Sequence, residues 1–123
     1  MAEGRDPTLR VTMLPRDTNA QGTIFGGVIL SHIDLAGAIA AAQLGSRRFV
    51  TRAIHEVDFI APVYVGDVVS LYAAVIKRGK TSVTVEVDVE AERFKEPGKR
   101  VKVTAAQVVY VAVDAAGKPT RVS

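Results

Sequence analysis

Asp34 lies inside the most apolar stretch of the chain, residues 24–42 (IFGGVILSHIDLAGAIAAA), and two adjacent glycines, Gly26 and Gly27, open that stretch. Taking a carboxylate out of water without a partner costs several kcal/mol, so the fold must give it donors, a counter-charge or a task. Asp34 is therefore the first candidate for chemistry. Ser31 and His32 lie close by in sequence and invite a Ser-His-Asp reading. Helical geometry argues against it, because residues two apart on a helix point roughly 200° apart and adjacent ones do not face each other either. Asn19, in the polar loop before the glycines, carries an amide that can both donate and accept. By itself such a residue reads as a turn former, as Asp17 does.

Composition narrows the chemistry. A chain of 123 residues with 48% hydrophobic content suffices for one domain with its own core, and we expect residues 1–123 to form one. The absence of cysteine removes disulfides, thiolate nucleophiles and Cys-based metal sites, and two histidines, His32 and His55, do not make a His-rich metal cluster. Carboxylate, hydroxyl or amide chemistry remains. The first residues have no apolar segment behind their charges, and no run reaches the roughly 18 apolar residues of a membrane span without meeting His32 or Asp34. The expectation is a soluble, cytoplasmic protein.

The net charge is only +3, but the basic residues cluster at Arg47-Arg48, at Lys77-Arg78-Gly79-Lys80 and over residues 93–102. Clusters of this kind meet anionic partners or keep hairpin tips solvated. They lack the interleaved aromatics of a single-strand platform, and there is no helix-turn-helix or RNP-like pattern. Nucleic acid is the obvious anionic partner by charge, and a phosphorylated small molecule fits the charge equally well.

The elements that position these residues follow from periodicity. Residues 9–14 alternate weakly and stop at Pro15; residues 16–23 form a polar loop. A helix runs from the glycines to about Leu44, with Gly45 as its stop, and its apolar residues cover nearly the whole circumference. From Phe49 the period changes to two, giving strands over residues 49–60, 67–78, 81–93 and 101–114. The short joins at 77–80 and 94–99 predict antiparallel hairpins. The fold class is α+β: one buried helix against an antiparallel sheet of about five strands. One sheet covers one side of such a helix, so the remaining apolar surface predicts a homo-oligomer.

The order strand, helix, four antiparallel strands is that of the hotdog fold. The segment LPRDTNAQGTIFGGVILSHIDLAGA at residues 14–38 resembles the signature of the bacterial short acyl-CoA thioester hydrolases and their eukaryotic cytosolic relatives. The likeness continues through VDFIAPVYVGDVV at 57–69, GKTSV at 79–83 and YVAVDAAGKP at 110–119, so it spans almost the whole chain.

That resemblance implies hydrolysis of an acyl-CoA to the free acid and CoA, with coenzyme A as part of the substrate and no separate cofactor or metal. It implies that Asp34 is general base or nucleophile, with the backbone N–H groups of Gly26 and Gly27 as oxyanion donors. It further implies that Asn19 assists from a neighbouring subunit, in a dimer that assembles further into a tetramer or hexamer. A thioester carbonyl gains negative charge as it is attacked, and the unpaired N–H groups at a helix start meet that need. Arg78, Lys80 and the hydroxyls of Thr81 and Ser82 match the family's hairpin and are the candidates for CoA binding, with Arg93 and Lys95 expected behind them. Phe59, Pro62, Gly66 and Asp67 match a further family piece and read as strand end and turn. A hotdog dehydratase acting on a hydroxyacyl thioester, which commonly uses a His near the helix start where this chain has Phe25, is the rival enzyme. A non-catalytic acyl-CoA binding module is the rival outside enzymes.

Overall fold

The structure, a computed structural model, describes residues 5–45 and 48–122; Arg47 of the first basic cluster lies outside them. The elements in chain order are β1 (Leu9–Thr12), a 3-10 turn (Pro15–Asp17), α1 (Gly26–Ala42), β2 (Arg48–Phe59), β3 (Val68–Arg78), β4 (Ser82–Glu92) and β5 (Arg100–Val113). All five strands join one antiparallel sheet in the order β1-β3-β4-β5-β2. The two expected hairpins form, pairing β3 with β4 and β4 with β5.

The period-two pattern of β4 explains how the sheet carries the helix. Val83, Val85, Val87 and Val89 are fully buried, and their register partners Tyr110, Val108, Ala106 and Thr104 on β5 are buried with them. Each buried valine contributes roughly 1.5–3 kcal/mol. Against this face α1 lays Ile29, Ile33, Ala36, Gly37 and Ala41. The helix is apolar all round, yet one subunit buries only this stripe; Leu35 is 51% exposed and Phe25, just before the helix, 57%.

β2 does not form a hairpin with β3, the next strand in sequence. It crosses to the far edge and pairs with β5. Twelve residues long and mostly exposed, it leaves its outer edge without a strand partner among the described residues, next to exposed Val50, Val57, Phe59 and Ile60. Long apolar edges of this kind are where chains pair with other chains. The register slips between Thr51 and Ala53 and again between His55 and Asp58, where Glu56 adopts a positive φ of 54°. The bulge breaks the pleat at that point, so His55 and Glu56 do not alternate cleanly across the sheet.

The chain segment 60–67 links β2 to β3 and passes beside the helix start. Asp67, 2% exposed, holds it together: Oδ2 accepts from Arg93 Nη1 at 2.7 Å and from the Tyr64 N–H at 3.0 Å, and Oδ1 accepts from the Phe94 N–H at 3.3 Å. Arg93 Nη1 also donates to the Pro62 carbonyl at 2.9 Å. Gly66 takes a φ of 89° in the turn, a conformation that favours glycine. The structural reading of Pro62, Gly66 and Asp67 agrees with these contacts. Arg93 does not stand behind the hairpin at residues 78–82 as expected, because β4 carries them at opposite ends.

Removing one member of a buried ion pair leaves the other charge uncompensated. Arg93→Ala should lower unfolding stability by about 3 kcal/mol, read as a lower urea midpoint at fixed protein concentration.

Candidate active site

Three backbone bonds fix where α1 begins. Ile24 N–H donates to Val63 O at 2.8 Å, Phe25 N–H to Asp17 O at 2.8 Å, and Val28 N–H turns back to Phe25 O at 2.9 Å. The N–H groups of Gly26 and Gly27 are left without an acceptor among the described residues, as the first turn of a helix requires. A Cβ at Gly26 would stand 3.4 Å from the Phe59 ring, so the missing side chain lets that ring lie against the helix start.

Between this start and the end of β2 opens a cleft of about 300 Å³, walled by Ile24, Gly26, Ile29, Phe59 and the chain at 60–63, with Thr23 and Thr104 as its polar side chains. That volume is at the small end of ligand pockets.

Asp34 sits two turns further along the helix, half-buried rather than enclosed. Two hydroxyls converge on its Oδ1. Thr51 Oγ1 on β2 donates at 2.7 Å, and the Tyr110 hydroxyl on β5 lies at 3.2 Å while also donating to the Asp34 backbone carbonyl at 2.5 Å. Oδ2 has no partner among the described residues, so one carboxylate oxygen is held and the other is open. Burial first, and the neighbouring Asp34 charge second, push the Tyr110 hydroxyl well above its ordinary value of 10.0, which keeps it a protonated donor. Gly37 makes the approach possible, since any Cβ there would overlap the Tyr110 hydroxyl.

Ser31 and His32 do not join Asp34. Ser31 Oγ and His32 Nδ1 both donate to the Val28 carbonyl, at 2.7 and 2.8 Å, as the helical spacing implied.

Asn19 is occupied within its own loop. Its Oδ1 accepts from the N–H groups of Gln21 (2.9 Å) and Thr23 (3.2 Å), and its Nδ2 donates to Thr23 Oγ1 at 2.9 Å. The amide therefore shapes the loop before the helix, and one N–H remains for anything else.

Arg78, Lys80, Thr81 and Ser82 line no part of the cleft at Gly26. They cap the other end of the sheet, where Ser82 pairs with Val111 and Val83 with Tyr110, which is the end nearer Asp34. Lys80 and Thr81 offer their carbonyls to the N–H groups of Val122 and Ala112, so Val122 and the end of β5 brace this hairpin. Lys95 and Lys99 instead share a second, wider cavity of about 640 Å³ with Gly22 of the Asn19 loop and with Tyr64. No group of three or more His, Cys, Asp or Glu residues that could hold a metal occurs among the described residues.

Thr51 and Tyr110 are the site residues that sequence reasoning missed. They stand 17 and 76 positions from Asp34 and share no local pattern with it.

Comparison with known proteins identifies the family and the fold. The family model described as the thioesterase superfamily matches residues 21–97, which includes the helix, Asp34 and Thr51. The chain belongs to that superfamily. An acyl-CoA thioester hydrolase of Salmonella typhimurium is 46% identical over 90% of this chain and 85% of its own. A hexameric hotdog fold thioesterase of Campylobacter jejuni superposes with a TM-score of 0.91 at 45% identity, covering 98% of this chain and 92% of that one. The fold is therefore the hotdog fold. An acyl-CoA hydrolase of Staphylococcus aureus, solved with butyryl coenzyme A and coenzyme A, superposes at 0.83 with 30% identity over 92% of this chain and 68% of that one. Its structures include an aspartate-to-alanine and a threonine-to-alanine variant.

Within this thioesterase fold the Gly37–Tyr110 contact tolerates no added atom, and Gly37→Ala should cost about 1–3 kcal/mol through overpacking, seen as a lower denaturation midpoint. The raised Tyr110 hydroxyl has a linked signature. Its contribution to stability is complete below pH 10, its ordinary value, and is lost as pH rises from there toward the folded-state value. Tyr110→Phe should therefore show a shallower loss of stability above pH 10 than wild type, measured by urea unfolding across that range.

Proposed function

We propose that this chain is an acyl-CoA thioester hydrolase whose site is completed by a second copy of the same chain. The observation that carries the reading is the division of the machinery along one helix. Asp34 lies eight residues beyond Gly26, about 12 Å along the axis at 1.5 Å per residue. A carbonyl within hydrogen-bond reach of the helix-start N–H groups is too far from the carboxylate of the same helix to be attacked with its help. Two copies remove the conflict when Asp34 of one faces the helix start of the other.

The single-subunit surface supports such an assembly through the unpartnered β2 edge and the exposed Phe25 and Leu35. The hexameric state named for the Campylobacter relative points the same way.

Chemically, the thioester carbonyl oxygen accepts from the Gly26 and Gly27 N–H groups, which stabilise the charge that develops on attack. Asp34, with Oδ1 fixed by Thr51 and Tyr110, uses its open oxygen either to take a proton from the attacking water or to attack the carbonyl itself; CoA then leaves as the thiol. The aspartate and threonine substituted in the Staphylococcus hydrolase stand the same 17 positions apart as Asp34 and Thr51, which supports giving these two residues a shared task. Asn19 shapes the loop from which α1 starts, and its remaining N–H is what it can offer the reacting groups. Arg78, Lys80, Thr81 and Ser82, at the Asp34 end of the sheet, meet the CoA phosphates. A cytoplasmic setting fits a CoA-dependent enzyme, and no helix among the described residues is long and apolar enough to cross a membrane.

Release of free thiol from a panel of acyl-CoAs tests the reading. Wild type should turn over at least one chain length. Asp34→Ala should lose about 10²–10⁴-fold in kcat, and Thr51→Val about 10- to 100-fold through loss of a hydrogen bond to a charged group. No release by wild type from any substrate would refute the function, and a full rate in Asp34→Ala would move the reaction away from this carboxylate.

A further inference from the structure

The mechanism above leaves two unpaired buried hydroxyls without a task, those of Tyr72 and Thr104, and of the two Thr104 lines the cleft. Thr104 is 1% exposed, and its Oγ1 has no hydrogen-bond partner among the described residues. A hydroxyl withdrawn from water and left unpaired costs about 1–3 kcal/mol, so its presence in the wall of a cleft calls for a partner that arrives from outside the chain.

The strand register shows where that partner would come from. Thr104 pairs directly with Phe59 on β2 and with Val89 on β4, so the three side chains share one face of the sheet. It is the face turned toward the helix, since the Phe59 ring lies against Gly26 and Val89 is in the core. Thr104 thus stands in the wall of the cleft beneath the helix start, beside Ile29 and opposite the segment 60–63. The register between β4 and β5 shifts just before it, between the Val89 and Glu90 pairs, and the carbonyl of Val103 is taken by the N–H groups of Ile60 and Ala61. A bulge next to a cleft commonly re-aims the neighbouring side chain.

We propose that Thr104 is a specificity-determining residue that gives this cleft a preference for acyl groups bearing a hydroxyl. The inference rests on the acyl-CoA reading and deepens it to a substrate class. With the thioester carbonyl held at the Gly26 and Gly27 N–H groups, the acyl chain enters the cleft between Ile29 and Phe59 and reaches the deeply buried Thr104 with its distal part. A plain alkyl chain leaves the Thr104 hydroxyl unpaired; a hydroxyacyl chain pairs with it, one hydroxyl donating to the other.

The test compares kcat/KM for matched pairs of substrates, butyryl-CoA with 3-hydroxybutyryl-CoA and with 4-hydroxybutyryl-CoA, in wild type, Thr104→Val and Thr104→Ser. Valine keeps the shape of threonine without the hydroxyl; serine keeps the hydroxyl. For at least one pair, the hydroxyacyl-to-alkanoyl ratio should fall about 3- to 10-fold in Thr104→Val and stay near the wild-type ratio in Thr104→Ser. Turnover of butyryl-CoA should be retained in all three. An unchanged ratio in Thr104→Val for both pairs overturns the inference, and an equal fall in Thr104→Ser overturns it too, because shape would then be the cause. Both results leave thioester hydrolysis standing. Failure of wild type to release thiol from any of the substrates is a different result, and removes the acyl-CoA reading along with the inference.

Discussion

The contact between the Tyr110 hydroxyl and the backbone of α1 at Asp34 is the constraint on which the rest of this structure turns. It places a β5 side chain under the middle of the helix, and it is possible only because Gly37 presents no Cβ at that point. The same hydroxyl reaches Asp34 Oδ1, so one atom registers the helix on the sheet and orients the carboxylate. Thr51, the direct neighbour of Tyr110 across β2 and β5, closes on that oxygen from the side. A charge in an apolar helix is thereby made tolerable without an ion pair: two hydroxyls hold one oxygen, and the other has no partner among the described residues.

On the proposed reaction, this arrangement needs a second copy. The helix start, fixed by the 60–67 segment and the Asp67–Arg93 pair, presents its free N–H groups at the Phe59 end of the sheet. Asp34 and the hairpin at residues 78–82 lie toward the other end. A rigid helix cannot bend these two halves together, and the exposed β2 edge is the surface through which another subunit can bring them into register. The sheet order that makes β2 an edge strand is then as much a part of the site as the carboxylate.

Much of this was legible in the sequence where the signal is local. The valine alternation of β4, the glycine pair before the apolar helix and the short polar joins dictate the strands, the helix and the two hairpins. Asp34 declared itself by being a charge in the wrong company, and the 3.6-residue period was enough to separate it from Ser31 and His32. What escaped was set by long-range packing. Nothing in a period-two pattern says that β2 crosses the sheet to pair with β5, nor that its pleat breaks at Glu56. Thr51 and Tyr110 looked like ordinary strand residues, because what distinguishes them is a partner 17 or 76 positions away. Asn19 read by itself as a turn former and through the resemblance as a catalytic amide, and only its bonds to Gln21 and Thr23 show how much of it the loop consumes. Thr104 looked like any threonine in a strand until its register placed it under the helix start.

The central claim is that Asp34 of one chain acts on a carbonyl held by the helix start of another, and subunit mixing tests it most directly. Two variants are prepared, Asp34→Ala and Gly27→Val, each expected to be inactive alone because one lacks the carboxylate and the other obstructs the oxyanion donors. They are then unfolded together, reassembled at equal ratio and assayed for thiol release. A shared site predicts recovery of about a quarter of wild-type activity, since mixed dimers form half the population and carry one intact site of two. Mixtures as inactive as the separate variants would show that each chain carries its own complete site, and would contradict the account.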